Sequence, residues 1–149
     1  MWFEYVDIKV HSCVFKLILL YLSVNDDSRN EKLIKEAMRL IKQYKGEQIL
    51  VLGYLNCHFG ILGPQLVNKT GQLILNFIDS ASLNLLNLDD SCVGEITWKQ
   101  GNWKSVIDYI MVNEVFYDFL SMIIDEEEIL KISDHNLISV KWSSNVKLL

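Results

Sequence analysis

The sequence predicts a single α/β domain in which helices cover a layered sheet. Three observations carry that expectation. The chain has 149 residues, a length that suits one domain with one core. Segments rich in β-branched and aromatic residues alternate with segments whose apolar residues recur at helical spacing. Residues 14–22 are apolar on both faces, which suits a central strand covered on both sides.

The elements follow in order. Residues 2–10 are rich in aromatic and β-branched side chains and predict a strand, interrupted by His11-Ser12-Cys13 before the run 14–22. Ser28-Arg29-Asn30-Glu31 has capping-box spacing: the Ser oxygen can cap the first turn and the Glu can reach back. Leu33, Ile34, Ala37, Leu40, Ile41 and Tyr44 then repeat at helical intervals, and Gly46 is placed to end that helix. Residues 48–52 form a short buried strand running into Gly53. Residues 60–69 are a loop holding the one proline, Pro64. Leu73, Ile74, Phe77, Ile78 and Ala81 mark a second amphipathic helix, followed by a strand over 83–88. A strand over 105–112 and a helical turn over 114–120 come next. The acidic run at 125–128 suits a solvated edge or loop better than a binding patch. In 136–142, Ile138, Val140 and Trp142 share one face of a strand. The order is β-β-α-β-α-β-(α)-β-β, with no repeat and no interdomain linker.

Composition excludes several classes. Half the residues are apolar and 11% are aromatic, which excludes a disordered or low-complexity chain. A net charge of −5 argues against a polybasic nucleic-acid binder, but not against an enzyme that meets nucleic acid at a local site. The run 14–22 contains Lys16 and is too short to span a bilayer. The first ten residues carry Glu4 and Asp7 without a basic region, unlike a signal peptide. No membrane partner is expected. Cys13, Cys57 and Cys92 are odd in number and widely spread, which suits reduced, intracellular thiols without separating nucleus from cytoplasm.

Three segments place polar residues where a purely structural role is strained. Gly53-Tyr54-Leu55-Asn56-Cys57-His58 follows a buried strand directly, a common position for functional groups, although from spacing alone a turn stabilised by Asn56 explains it better. Asp108 shares a face with Val106, Ile110 and Val112, where a carboxylate is costly unless paired; a place at the solvent rim is the alternative. Ser133-Asp134-His135 precedes the last strand and supplies an anionic ligand beside an imidazole, or simply a turn. Cys57 and His58 point to opposite faces of an extended segment and make no nucleophile–base pair. His11, Cys13, Cys57, His58 and Cys92 lack the paired spacings of a structural zinc site. No glycine-rich phosphate loop is present.

Taken together and in this order, the segments resemble the endonuclease/exonuclease/phosphatase superfamily, and within it the apurinic-endonuclease-like domain of non-LTR retrotransposons. Gly53 to His58 is similar to the family's Gly-Asp-Phe-Asn-Ala-His element. Thr97-Trp98 with residues 105–110 is similar to its Thr-Trp and Ser-x-Ile-Asp-Tyr-Ile, and Ser133-Asp134-His135 to its Ser-Asp-His. Asn68, Gly71, Leu73, Phe77, Leu83 and Asn87 fall on its Asn-x-x-Gly helix and the strand after it, and Tyr21 on a Tyr at a strand end. The resemblance covers nearly the whole chain but only the later portion of the family domain.

This resemblance implies a four-layer α/β/β/α sandwich with one sheet incomplete, and a phosphodiesterase site that uses Mg²⁺ or Mn²⁺ and acts on DNA. Asn56 would hold the scissile phosphate and position the attacking water. His135 would donate to a phosphate oxygen, with Asp108 orienting its imidazole. Asp134 would be a metal ligand, and Tyr21 and Thr97 would contact the phosphate. Mg²⁺ suits a carboxylate-rich site that keeps several of its waters.

Two departures change the expectation. Tyr54 stands where the family has its catalytic Asp, and a phenol of ordinary pKa of about 10 is a poor base at neutral pH. The portion that supplies an Asn and the metal-binding Glu has no counterpart in this sequence. Hydrolysis is therefore expected to be lost or strongly reduced. The alternative is a non-catalytic binding or oligomerisation module that self-associates through an exposed sheet edge.

Overall fold

A computed structural model describes residues 3–10, 13–60, 66–117, 120–126 and 133–142. In chain order these form β1 (Phe3–Val10), β2 (Cys13–Tyr21), α1 (Asp27–Gln43), β3 (Gln48–Tyr54), α2 (Lys69–Ala81), β4 (Leu83–Leu85), β5 (Trp98–Gln100), β6 (Trp103–Ser105), β7 (Asp108–Asn113), α3 (Glu114–Tyr117), β8 (Leu120–Asp125) and β9 (Leu137–Trp142). Five strands make the main sheet in the order β1-β2-β3-β7-β4. Only β2 and β3 are parallel, joined across α1; the other neighbours are antiparallel.

Alternation along the central strands builds two cores. Ile18, Leu20, Ile49, Val51, Tyr109 and Met111 face the helices and meet Leu33, Ile34, Ala37 and Leu40 of α1 and Ile74 and Phe77 of α2. The opposite face carries Phe15, Leu17, Leu50, Leu52, Ile110 and Val112, which pack on Met122 and Ile124 of β8 and on Ile138, Val140 and Trp142 of β9. Residues 15–20 are thus covered on both sides, as expected, while Val14 and Tyr21 near the ends of the run are exposed. Lys16 is the exception in that run: its amine reaches Asp7 at 2.9 Å and Glu47 at 3.2 Å and lies 4.6 Å over the Tyr44 ring.

The described residues supply three of the four expected layers: helices, main sheet and a second sheet of β8 and β9 alone. Val93 lies against β8, donating to the Met122 carbonyl at 2.9 Å and accepting from the Ile124 amide at 2.7 Å. Among the described residues β9 pairs with β8 only, so its other edge is open. No described helix is long and apolar enough to cross a membrane.

Several boundaries differ from the sequence expectation for physical reasons. The N-cap of α1 is Asp26, whose carboxylate accepts from the Arg29 amide at 3.0 Å, and Ser28 lies inside the helix. The buried Asn30 sets that register. It accepts from the Ser23 amide at 3.0 Å and donates to the Ser23 carbonyl at 2.7 Å, pinning the loop before the helix. The strand expected over 83–88 stops at Leu85 and turns as a 3₁₀ segment over Leu86–Leu88, which brings Asn87 inward. The strand expected over 105–112 is broken at Val106-Ile107, where the Ile107 carbonyl accepts from the Leu55 amide at 2.8 Å. The β5–β6 hairpin was not expected, although Gly101-Asn102 between paired strands is a two-residue turn signal. Gly101 has φ +59°, in the left-handed region such a turn needs. Of the acidic run, Asp125 and Glu126 are described. Glu126 accepts from the amides of Glu95 at 2.6 Å and Ile96 at 3.0 Å, so it ties a loop down. His11, Ser12, Pro64 and residues 127–128 lie outside the described residues.

Helix α2 starts at Asn68, whose side chain accepts from the Gly71 amide at 2.7 Å. A Cβ on Gly71 would come within 2.1 Å of the His58 carbonyl oxygen. Glycine-to-alanine changes inside helices ordinarily stabilise by roughly 0.5–1 kcal/mol. Here the sign reverses: Gly71→Ala lowers stability by about 1–3 kcal/mol, the usual cost of overpacking, read from urea unfolding midpoints.

Candidate functional site

The site begins as a row across three neighbouring strands. Tyr21 ends β2, Tyr54 ends β3 and Asp108 begins β7, and register pairs Tyr21 with Tyr54 and Tyr54 with Asp108. Period-two alternation sends all three side chains to the face that carries Leu17, Leu52 and Ile110. The rings of Tyr21 and Tyr54 lie 5.2 Å apart, and Tyr21 is 40% exposed. Tyr54 and Asp108 of this row line an open cleft of about 310 Å³ with Leu19, Leu52 and Ile138. A larger cavity of about 460 Å³, between Met38, Ile41 and Ala81, touches none of the site residues.

His135 arrives from the segment before β9. Its Nδ1 lies 2.8 Å from Asp108 Oδ2, and its ring meets Tyr54 edge-on at 5.0 Å. The carboxylate accepts from Nδ1–H, which fixes the orientation of the ring and leaves Nε2 outside the pair. The pairing answers the cost of a carboxylate on an aliphatic face. The Ser133 hydroxyl accepts from the His135 amide at 3.1 Å and shapes the turn. Burial pushes the Tyr54 phenol up; the Asn56 amide opposes this, and Tyr21, Asp108 and Asp134 add to it. That phenol stays protonated at neutral pH.

Asn56 stands at φ +48°, a left-handed conformation that asparagine tolerates better than most residues. Its side chain donates to the Leu22 carbonyl at 2.8 Å, tying the ends of β2 and β3 together. Cys57, by contrast, is fully buried, and burial pushes its thiol up, so it is inert.

Thr97, expected at the phosphate, is elsewhere. It is fully buried, and its hydroxyl accepts from the amides of Ile107 at 3.0 Å and Asp108 at 3.1 Å. Its place is beneath Asp108, holding the start of β7. Asn87 supports the same strand: it donates to the Asp108 carbonyl at 3.1 Å and accepts from the Ile110 amide at 3.0 Å. Trp98 holds Asp134, its indole N–H donating to Oδ2 at 2.8 Å, and this bond is the first reason the Asp134 carboxyl lies below its ordinary value. The Asp134 carbonyl accepts from the Lys99 amide at 2.8 Å, and the Asn136 amide donates to the Thr97 carbonyl at 2.8 Å. The residues around His135 are therefore stitched along β5. The Thr97-Trp98 pair was visible in the sequence, but these partners, which lie far along the chain, were not.

A divalent ion fits poorly here. Asp108 is engaged by His135, and one oxygen of Asp134 by Trp98. Among the described residues no three His, Cys, Asp or Glu side chains gather to hold a metal. Mg²⁺ held by one or two carboxylates needs substrate phosphates to complete its shell.

Residues 15–145 match the family described as endonuclease-reverse transcriptase. The chain belongs to that family. No curated protein matches it. Among solved structures it is similar to the endonuclease domain of TRAS1, a telomere-specific non-LTR retrotransposon, with TM-score 0.74 and 18% identity over 97% of this chain and 64% of that one. It is also similar to an endonuclease/exonuclease/phosphatase family protein from Leptotrichia buccalis, with TM-score 0.66 and 15% identity over 94% of this chain and 53% of that one. A third is truncated TDP2 of Caenorhabditis elegans, with TM-score 0.60 and 14% identity over 95% of this chain and 59% of that one. At these identities the likeness is one of fold, and the chain spans less than two thirds of each relative.

Thr97→Val keeps the shape and leaves two buried amides without an acceptor. The expected cost is about 1–3 kcal/mol in chemical denaturation, well above a neutral isosteric change.

Proposed function

We propose that this chain is a retrotransposon-type endonuclease unit that engages DNA at the Tyr21–Tyr54–His135 cleft and whose phosphodiester hydrolysis is strongly reduced. One observation carries the reading: Asp108 and His135 form an oriented pair, while the position beside them, where a family member has its base, holds the protonated phenol of Tyr54. In this reading His135 donates to a phosphate oxygen, Asp108 fixes the imidazole, and the Asn56 amide and Tyr21 hold the phosphate. What is missing is the group that takes a proton from water, a loss worth about 10² to 10⁴ in rate.

Contact with nucleic acid has support beside the cleft. The β5–β6 hairpin presents Trp103, 78% exposed, next to the cross-strand pair Lys99 and Lys104. The exposed indole suits base stacking, while the two lysines lie on the other face of the hairpin.

Tyr54→Asp tests the reading. It restores a base and adds a carboxylate close to Asp108 and Asp134. Nicking of duplex DNA in Mg²⁺ rises by up to about 10², and His135→Ala in that background returns it to the starting level. Equal rates for the wild type and a folded Tyr54→Asp variant would sink the reading. Metal binding should change in parallel. Mg²⁺ or Mn²⁺ alone leaves the melting temperature of the wild type unchanged and raises that of Tyr54→Asp, because binding to the native state shifts unfolding by mass action.

A further inference from the structure

The side chain that removes a base from position 54 also supplies a nucleophile. A phenol can bond to phosphorus when a neighbouring base takes its proton, and such a base works best when a third group fixes its orientation. Tyr54 has both neighbours. The His135 ring packs edge-on against the Tyr54 ring, centroids 5.0 Å apart, and Asp108 holds Nδ1 of that imidazole at 2.8 Å, so Nε2 is the ring nitrogen outside that pair. The cleft beside it is open. Tyr109 shows the contrast. It is 1% exposed, and its hydroxyl is consumed by the Cys57 carbonyl at 2.9 Å and the Val106 carbonyl at 2.7 Å. Tyr109 is a structural phenol; Tyr54 faces the cleft.

We infer that Tyr54 attacks the phosphodiester itself, so that the site transfers a nucleic-acid strand to the protein instead of to water. The inference rests on the reading that the cleft takes a phosphodiester. In the step, the Tyr54 oxygen bonds to phosphorus, and the bond from phosphorus to one bridging sugar oxygen breaks. The phenol proton passes to Nε2 of His135 and from there to the departing oxygen, which leaves as a free hydroxyl. Nothing is oxidised or reduced, and no water is consumed. The product is a phosphotyrosyl diester beside a strand with a free hydroxyl end, and attack by that hydroxyl reverses the step.

The test uses duplex oligonucleotides in which one bridging 3′ or 5′ oxygen is replaced by sulfur. A departing thiolate re-attacks poorly and lets the adduct accumulate. The full chain is incubated with each duplex in Mg²⁺ buffer, binding is followed by fluorescence anisotropy, and the products are run on a denaturing gel. The expected result is a detergent-resistant protein–oligonucleotide band whose peptide masses place the nucleotide on Tyr54. It is absent in Tyr54→Phe and diminished in His135→Ala. Mapping the wild-type adduct decides the point even where a variant fails to fold. Cleavage that leaves two free ends, binding without an adduct, or an adduct on another residue each overturns the inference while the DNA-binding reading stands. Absence of binding overturns both.

Discussion

The Thr97 hydroxyl, held between two backbone amides, is the contact on which the site depends. It accepts from Ile107 and Asp108 at the point where the chain leaves one short strand and enters the next. Unsatisfied, those amides would open a buried corner. Satisfied, they fix where β7 begins, and so the direction in which Asp108 leaves the sheet. Asn87 closes the other side of the same turn. The imidazole of His135 follows from Asp108, and the packing of Tyr54 follows from the imidazole. A side chain with no access to the cleft thus determines the geometry inside it.

The position of the cleft follows from the two-faced character of the sheet. On the helix side the apolar layer is closed by α1 and α2. On the other side, among the described residues, it is covered by β8 and β9 together with Leu86, Cys92 and Phe116, and at the level of Tyr54 and Asp108 an open cleft interrupts that cover. Polar groups gather there because it is the place on the inner face where water and an apolar wall meet. A carboxylate that would be prohibitive two residues further into β7 is tolerable at its first residue, given a partner.

Much of this was legible in the sequence, and the limits have physical causes. The face taken by Asp108 followed from strand periodicity, and its pairing with His135 followed from family resemblance. The two cores also followed from alternation, because burial on both faces leaves a continuous apolar run. Three features could not be read in this way. The helix cap moved from Ser28 to Asp26 because Asn30 is claimed by the backbone of Ser23, a contact that capping-box spacing does not encode. Thr97 and Trp98 were visible as a motif, but their roles depend on amides and a carboxylate 10 and 36 residues away. Glu126 sat in an acidic run that looked solvated, yet it takes two backbone amides from the loop before β5.

The contacts that hold the site together are made mainly by backbone groups and by Thr97, Asn87, Asn56, Trp98 and Asp108. The side chain at position 54 rests against that frame without carrying it. The frame can therefore outlast a change of chemistry at its centre. In the genetic code a tyrosine codon and an aspartate codon differ by a single base. An exchange between the two at position 54 is thus a short step that leaves the scaffold standing.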